Sequence, residues 1–268
     1  IDIGTTSVKI IAADENGNVI KTISREYPIY FPKPLWSEQN PEDWWEQSKL
    51  GLIDLLEGLD KNHVKAISFS GQMHGLVTLD ENDEVIRPAI LWNDQRTDEE
   101  CQYLNKEIGQ TIISKWTGNL ALTGFTAPKL LWLRKNEPEN FNKIKKIMLP
   151  KDYLAYKMSG VFATDMSDGS GTLYMDVKNR KWSKDMLELL EISETQLPKL
   201  YESYESIGNI NAELASELGL NQDVKIVIGG GDQAVAAVGG GVVESGSCSL
   251  SLGTSGVVFT SNEKFFVD

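Results

Sequence analysis

The sequence predicts a mixed α/β fold on three observations. Strand-like apolar runs open the chain, helical patterns dominate its middle, and an apolar strand returns near residue 228 and ends in three glycines. Alternation of this kind favours helices packed against a sheet. The length of 268 residues suits one large or two small domains, and 41% hydrophobic with 24% charged residues is ordinary for a globular protein.

Charge and composition argue against several classes of protein. With 26 basic and 39 acidic side chains the net charge is −13, which repels phosphate backbones and anionic lipid. We therefore expect no nucleic-acid partner and no membrane partner. The sequence has no apolar run of transmembrane length and no signal-peptide pattern, and its two cysteines, Cys101 and Cys248, stand far apart. These features predict a reducing, cytoplasmic location and exclude a site made of three histidines, since there are two.

The first sixty residues predict a strand, a hairpin and a helix. Ile1-Asp2-Ile3-Gly4 has the pattern of the end of a buried strand. Apolar-rich runs at 8–13 and 19–26 flank Asn16-Gly17, a strong hairpin pattern. Asn40-Pro41 then supplies an N-cap with proline at the first helical position, and leucines follow at helical spacing.

Later elements are shorter and separated by Pro and Gly. Strands are predicted at 64–70, 76–79 and 90–92. The segment Thr97-Asp98-Glu99-Glu100 predicts a capping box that opens a helix stopped by Gly109. Helices are predicted at 126–134, 151–158, 183–190 and 211–218, a hairpin-like interruption at 164–176, and a strand at 224–228 followed by Gly229-Gly230-Gly231-Asp232 and a helix at 233–238.

The opening β-β-β-α-β order is that of an actin-like or ribonuclease-H-like lobe, here with extra helices, rather than that of a dinucleotide-binding fold. An internal repeat supports this interpretation. Residues 1–8 align with 250–257, matching Gly, Thr, a hydroxyl and Val in register. Self-similarity of this kind implies two related lobes. We expect residues 1–245 to form the first lobe and residues 246–268 to be the first hairpin of a second, similar lobe.

The repeated Gly-Thr turns are the first candidate site. Gly4-Thr5-Thr6 and Gly253-Thr254-Ser255 offer backbone N–H groups and hydroxyls that can hold phosphate oxygens, and Asp2 can hold Mg²⁺ through water. A single such turn is also what an ordinary hairpin contains, but two of them facing each other would grip one nucleotide tail. Lys9 either adds a positive charge near the phosphates or is a solvated strand lysine.

Asp232 is the candidate catalytic base. It follows Gly229-Gly230-Gly231 and precedes a helix, so the backbone can approach a ligand closely there. An aspartate in this place is also an ordinary N-cap. Beside a phosphate site, however, its carboxylate is suited to take a proton from an attacking hydroxyl.

Two strand-end segments are candidates for binding a polyol. Gly71-Gln72-Met73-His74-Gly75 joins two strands, and its glycines suggest a turn from which Gln72 and His74 project. Trp92-Asn93-Asp94-Gln95-Arg96 combines an aromatic ring with four polar groups. The alternatives are a structural histidine in the first segment, and a strand-end turn with a helix cap in the second.

Taken together, these motifs resemble those of the FGGY carbohydrate kinases. The resemblance runs from the first residue to about Phe259 and rests on the combination of Ile1–Ser7, Leu35–Pro41 with Trp44-Trp45, Gly71–Gly75, Ile90–Asp94, Phe125–Lys129, Leu149–Tyr153, Asp165–Asp168, Gly230–Asp232 and Leu250–Gly256. It implies ATP-dependent phosphorylation of a sugar between two actin-like lobes, with ATP and Mg²⁺ as cofactors.

The resemblance also implies roles for individual residues. Asp232 would be the general base and Asp2 would organise Mg²⁺, while both Gly-Thr turns would face the ATP phosphates. The sugar contacts would come from Gln72, Met73, His74, Trp92, Asn93, Asp232 and Gln233. Met73-His74 favours D-xylulose over glycerol, because glycerol kinases have an Arg-Glu pair there.

The expected length of such a kinase leaves a second lobe unaccounted for. This chain is therefore expected to be mainly the sugar-binding lobe and to turn over ATP negligibly alone. Exposed apolar surface makes a homodimer a further expectation. The alternatives are a kinase for ribulose, gluconate, a hexulose or glycerol, and a non-catalytic sugar-binding lobe.

Overall fold

The computed structural model describes residues 1–252 and 256–267. Its strands are β1 Asp2–Ile3, β2 Ser7–Ala13, β3 Val19–Glu26, β4 Glu38–Gln39, β5 Ala66–Gly71, β6 Val77–Leu79, β7 Ala89–Ile90, β8 Lys146–Met148, β9 Ala163–Asp165, β10 Met175–Asp176, β11 Lys181–Trp182, β12 Lys199–Tyr201, β13 Ser206–Asn209, β14 Lys225–Gly231, β15 Cys248–Leu252 and β16 Gly256–Thr260.

The α-helices lie between these strands along the chain, and α1, α6, α7 and α10 contact the central sheet. They are α1 Pro41–Leu56, α2 Asp98–Gln102, α3 Gln110–Thr117, α4 Thr126–Asn136, α5 Pro138–Lys143, α6 Pro150–Ser159, α7 Met166–Ser170, α8 Lys184–Leu190, α9 Ala212–Leu218 and α10 Asp232–Gly239. A π-helical segment, Tyr103–Gly109, joins α2 to α3, and 3₁₀ turns occupy Lys61–His63 and Glu194–Gln196.

The central sheet has six strands in the order β13-β14-β5-β1-β2-β3. Strands β1, β5 and β14 are parallel, whereas β2, β3 and β13 run antiparallel to their neighbours. This arrangement confirms the predicted β-β-β-α-β opening and the mixed α/β class. Because the carboxyl ends of parallel strands meet at one edge, the residues that follow β1, β5 and β14 are brought together.

Two apolar clusters hold the helices in place. One joins the sheet to α1, α6 and α9 and includes Ile3, Trp44 and Ile226, none of which is exposed. The other joins α3, α4 and α8 and includes Ile113, Leu130 and Met186. Each fully buried side chain of this size contributes about 1.5–3 kcal/mol to stability. The first cluster lies directly beneath the edge where the three parallel strands end.

Two local predictions are wrong. Residues 164–176 form β9, α7 and β10 instead of a hairpin, because Asp165 caps α7 by accepting from the backbone N–H of Ser167 at 2.8 Å. The capping box at Thr97 does not form, since the Thr97 hydroxyl donates to the carbonyl of Thr123 at 3.0 Å. The predicted stop at Gly109 is confirmed: this residue has φ +102° and ends the helical run that begins at Asp98, and α3 is a separate helix that begins at the next residue.

The predicted second hairpin corresponds to β15 and β16, which pair antiparallel from Cys248–Thr260 to Leu252–Gly256. Its turn residues, Gly253, Thr254 and Ser255, lie outside the described residues. The division into a lobe of residues 1–245 and the start of a second lobe at 246–268 stays a prediction. Over the described ranges, no helix is both long and apolar enough to span a bilayer.

Strand β14 carries a bulge that only glycine permits. The register shifts between Val227 and Gly230, and Gly229 there has φ +71°. A Cβ at Gly229 would lie 1.8 Å from the carbonyl oxygen of Phe69 on β5. The bulge therefore depends on the absence of a side chain.

We expect Gly229→Ala to lower the free energy of unfolding by about 3 kcal/mol or more, because backbone strain and a steric clash add. Gly160→Ala is the matched control: Gly160 has φ +72° but nothing within 4 Å of its Cβ position, so its loss should be about 1 kcal/mol. Urea unfolding of both variants measures the difference. Equal losses would contradict the close approach of β14 to β5.

Candidate active site

The site is built on three strand ends that lie side by side. Ile3 of β1 and Gly231 of β14 are both in register with Gly71 of β5. The Gly-Thr turn, the Gln72-Met73-His74 turn and Asp232 therefore leave the same edge of the sheet from adjacent positions. Segments far apart in the sequence converge there, which is the arrangement expected of a ligand site in a sheet of this kind.

Asp232 is the first residue of α10 and not its N-cap, a position that Gly231 holds. Its Oδ1 accepts a hydrogen bond from the backbone N–H of Gln233 at 2.7 Å. Burial raises the pKa of Asp232 above its ordinary value. The hydrogen bond from Gln233 lowers this pKa, and the negative charge of Asp2 raises it further. Asp232 is therefore a stronger base than a free aspartate.

Asp2 and Lys9 share one face of the sheet. They are directly opposite each other in the antiparallel pair of β1 and β2, so their side chains project on the same side. Asp2 is partly buried and Lys9 is exposed. This placement puts a positive charge beside the candidate metal carboxylate.

The Gly4-Thr5-Thr6 turn is held from below by side chains. The Tyr27 hydroxyl donates to the Gly4 carbonyl at 2.5 Å, and the Gln39 amide donates to the Thr5 carbonyl at 2.8 Å. The Trp92 indole donates to the Thr5 hydroxyl at 3.0 Å. The turn that was predicted to hold phosphate is therefore connected directly to one of the predicted sugar contacts.

Gln72 occupies a position different from the one predicted. It is 2% exposed, and its Nε2 donates to Gln39 Oε1 at 3.0 Å, an atom that also accepts from the Trp44 indole at 3.1 Å. This geometry favours a role in joining the sugar turn to the Gly-Thr turn over the direct sugar contact predicted from the sequence. Gln39 is the link between the two turns, and sequence reasoning missed it.

Met73 and His74 form the half-buried part of the Gln72-Met73-His74 turn. A Cβ at Gly231 would lie 3.0 Å from three atoms of Met73, so Met73 packs against the strand that carries Asp232. His74 has φ +67°, and its ring lies 4.6 Å from that of Phe125. Lys129, fully buried, donates to the carbonyl of His74 at 2.7 Å. These contacts fix an otherwise unfavourable backbone conformation.

His74 is neutral at physiological pH, with a defined tautomer. Its pKa falls to about 4 because of burial first and the charge of Lys129 second, against the hydrogen bond to Gly171. His74 Nδ1 lies 2.8 Å from the carbonyl oxygen of Gly171, which can only accept, so Nδ1 carries the proton. Nε2 is left as an acceptor suited to a sugar hydroxyl.

The remaining predicted sugar contacts border the same edge. Trp92 is 41% exposed, and Gln233 lies exposed in the first turn of α10. Asn93 is half-buried, and its Oδ1 has no hydrogen-bond partner within residues 1–252 and 256–267. Its neighbour Asp94 is instead structural: its carboxylate accepts from the backbone N–H of Ser37 at 2.6 Å and pairs with Arg96 at 2.7 Å.

A buried charge cluster behind the site was not predicted to carry any chemistry. Lys151 Nζ lies 2.6 Å from Asp152 Oδ1, 2.9 Å from Asp165 Oδ1 and 3.7 Å from Asp168 Oδ2, and all four side chains are 0% exposed. Asp165 and Asp168 read as turn acids in the sequence. The only sequence pattern that could have revealed the cluster is a lysine at the start of an otherwise apolar helical face.

The donor set fits a magnesium ion that is completed by substrate. Among the described residues there is no group of three or more His, Cys, Asp and Glu side chains that could enclose a metal. Mg²⁺ does not need one, because it is commonly held by one or two carboxylates together with water and substrate phosphates. Asp2, with Asp232 beside it, offers carboxylates of this kind.

Comparison with known proteins gives matches along nearly the whole chain. Residues 1–239 match the model described as the FGGY family of carbohydrate kinases, N-terminal domain. The chain is 46% identical over 265 residues to the xylulose kinase of Escherichia coli strain K12, which covers 99% of this chain and 54% of that protein. The chain thus spans about half the length of the curated relatives it matches.

Solved structures match equally well. A protein of Brucella ovis described as a xyloylose kinase superposes with a TM-score of 0.94 at 40% identity, covering 97% of this chain and 54% of that one. A gluconate kinase of Lactobacillus acidophilus superposes with a TM-score of 0.92 at 30% identity, covering 97% of this chain and 52% of that one. The same lobe therefore occurs in kinases named for different sugars.

The low pKa of His74 predicts a pH dependence of stability. The folded pKa of about 4 lies below the ordinary 6.5, so the contribution of neutral His74 is fully present above pH 6.5 and is lost as the pH falls towards 4. We expect this loss to be at most about 3 kcal/mol. Urea unfolding between pH 7 and 4 should give a smaller loss for His74→Gln than for the unmodified chain. His63→Asn, which alters the other histidine, is the control, and equal slopes for all three would contradict the burial of a neutral His74.

Proposed function

The chain belongs to the FGGY family of carbohydrate kinases, and on that premise we propose that it is the sugar-binding lobe of an enzyme that transfers the γ-phosphoryl group of ATP to D-xylulose. The observation that carries the proposal is the register of Ile3, Gly71 and Gly231, which puts a candidate phosphate turn, sugar turn and base at one edge. Xylulose is favoured because relatives with 38–46% identity are named xylulose kinases.

Asp232 is the general base in this proposal. Its carboxylate takes the proton of the attacking sugar hydroxyl while the sugar oxygen bonds to the γ-phosphorus and the bond to the β-phosphate oxygen breaks, releasing ADP. The pKa of Asp232, raised by burial and by Asp2, increases its affinity for that proton. His74 accepts a second hydroxyl at Nε2, and Trp92, Asn93, Met73 and Gln233 complete the sugar site.

Asp2 is the carboxylate best placed to hold Mg²⁺, which when bound neutralises charge on the transferred phosphate. Lys9, on the same face, adds a positive charge beside the phosphates. Gly4, Thr5 and Thr6 approach them from β1. Gly253, Thr254 and Ser255 would do so from the second hairpin.

Two alternatives remain distinguishable by experiment. A kinase for gluconate or another polyol is favoured by the similarity to a gluconate kinase at a TM-score of 0.92. A non-catalytic sugar-binding lobe is disfavoured by the pair of carboxylates, because binding alone requires neither a base nor a metal ligand.

The substrate class can be tested on this chain alone. A sugar at 100 times its dissociation constant should stabilise the folded state by about 2.7 kcal/mol, which raises the melting temperature measurably. We expect D-xylulose to give a larger shift than ribulose, gluconate or glycerol. A larger shift with any of the others would assign that sugar instead, since a site built to hydrogen-bond particular hydroxyls rejects analogues.

Replacing the proposed base should affect the chemical step more than binding. In the two-lobed enzyme that carries this chain as its first half, we expect Asp232→Asn to lower kcat by about 10²–10⁴-fold with a much smaller change in the KM for sugar. Asp223→Asn, an exposed aspartate ahead of β14, is the control. Retention of full kcat by Asp232→Asn would exclude Asp232 as the base.

The lobe alone should not be an efficient kinase. Both substrates must be positioned between two lobes for transfer to occur, so we expect negligible ADP release from this chain with ATP and D-xylulose. A coupled assay comparing it with the two-lobed enzyme measures the ratio. Comparable turnover by both would contradict the assignment of this chain as one half of the site.

A further inference from the structure

The segment 165–171 connects the buried charge cluster to both halves of the candidate site. At its start, Asp165 pairs with Lys151 at 2.9 Å. In its middle, the Ser167 hydroxyl accepts from the backbone N–H of Gly231 at 3.1 Å. At its end, the Gly171 carbonyl accepts from His74 Nδ1 at 2.8 Å. One short segment therefore holds the residue before the base and the histidine of the sugar turn.

The Ser167 hydroxyl is held in a single orientation. It donates to Asp165 Oδ2 at 2.5 Å, so its lone pairs are directed elsewhere and can accept from Gly231. Asp165 Oδ2 also accepts from the Ser203 hydroxyl at 2.7 Å. The carboxylate of Asp165 thus orients the Ser167 hydroxyl, which contacts Gly231 of β14.

The backbone of β14 leaves room for this contact. A Cβ at Gly230 would lie 2.9 Å from Ser167 Oγ and 3.5 Å from Asp165 Oδ2. Glycine at this position lets α7 approach the backbone of β14 directly. The contact reaches the backbone one residue before Asp232, where a small displacement moves the carboxylate itself.

Two acids of the buried cluster, Asp165 and Asp168, have pKa values shifted in opposite directions. Ionised Lys151 and the Ser167 and Ser203 hydroxyls keep the pKa of Asp165 below its ordinary value despite burial. Burial and the charges of Asp152, Asp165 and Asp232 raise the pKa of Asp168 well above its ordinary value, although Lys151 opposes the shift. Neither Asp168 oxygen has a hydrogen-bond partner in the part of the chain that the structure describes. The surroundings therefore favour the ionised form of Asp165 and the protonated form of Asp168.

We propose that Ser167 is a positioning residue for Asp232, acting through the backbone N–H of Gly231, and that the Lys151–Asp165 ion pair fixes Ser167 for this role. The proposal rests on the function proposed above, in which Asp232 is the base. Ser167 acts on the geometry of the proton acceptor, where small misplacements are costly to the rate of the chemical step.

The first test compares two serines of α7. In the two-lobed enzyme, Ser167→Ala should lower kcat at least tenfold and change the KM for sugar less than twofold. Ser170→Ala is the matched control, because the Ser170 hydroxyl donates to the Ser167 carbonyl at 2.6 Å and not to β14. Unchanged kcat in Ser167→Ala, or an equal loss in both variants, would overturn the proposal.

A second measurement does not depend on activity. In this chain, hydrogen exchange at the Gly231 amide should accelerate in Ser167→Ala and stay unchanged in Ser170→Ala. Unchanged exchange in both would overturn the contact itself. If the two-lobed enzyme phosphorylates no sugar, the proposed function fails, and the exchange measurement still decides whether Ser167 holds Gly231.

A third comparison separates the two acids. Asp165→Asn should reproduce the loss of kcat seen in Ser167→Ala, because it removes the charge that orients the hydroxyl. Asp168→Asn should leave kcat within twofold of the unmodified enzyme, because the Asp168 side chain has no hydrogen-bond partner among the described residues and lies 3.7 Å from Lys151 Nζ. The opposite ranking would contradict the assignment of Asp165 as the acid that holds Ser167 in place.

Discussion

The aligned ends of β1, β5 and β14 position the three central parts of the candidate site. Backbone pairing sets Ile3 and Gly231 opposite Gly71, so the phosphate turn, the sugar turn and Asp232 begin at the same height on the sheet. No side chain has to bring these segments together. Side-chain contacts such as Gln39 with Thr5 and Gln72 instead fix the turns that the strands have already placed. Precision of this kind comes from the hydrogen-bonded ladder of the sheet.

Two buried lysines, Lys151 and Lys129, hold acidic and backbone groups that adjoin the site. Taking Lys151 out of water is expensive, and only good geometry with several partners compensates for it. The three surrounding carboxyl groups exceed its charge, and their repulsion together with burial raises the pKa of Asp168. The burial of Lys129 is compensated in a different way. Its ammonium donates to the carbonyls of His74 and Gly124, and burial lowers its pKa to about 7. Both lysines reach backbone or acid groups that adjoin the site, so their placement serves its geometry more than overall stability.

Local patterns predicted much of this architecture. Asn16-Gly17 between apolar runs gave the correct hairpin, and the three glycines correctly marked the end of β14. The errors arise where distant partners outweigh local preference. Thr97 bonds to Thr123 instead of capping its helix, and Gln72 is buried against Gln39. Lys151, Asp165 and Ser167 lie in segments that carry the family resemblance, but their individual roles depend on contacts with residues of other elements. Spacing along the chain carries no information about such contacts.

The bulge in β14 determines the side of the sheet from which Asp232 emerges. Val227 pairs with Ser68 and Gly230 with Ser70, so β14 advances three residues between these two pairs while β5 advances two. With regular pairing, Gly230 would stand opposite Gly71, and the residues beyond it would be shifted by about 3.3 Å and turned to the other face. Deleting one residue at 228–229 would therefore turn the Asp232 carboxylate towards the other face of the sheet, whereas a conservative substitution there would leave it on the same face.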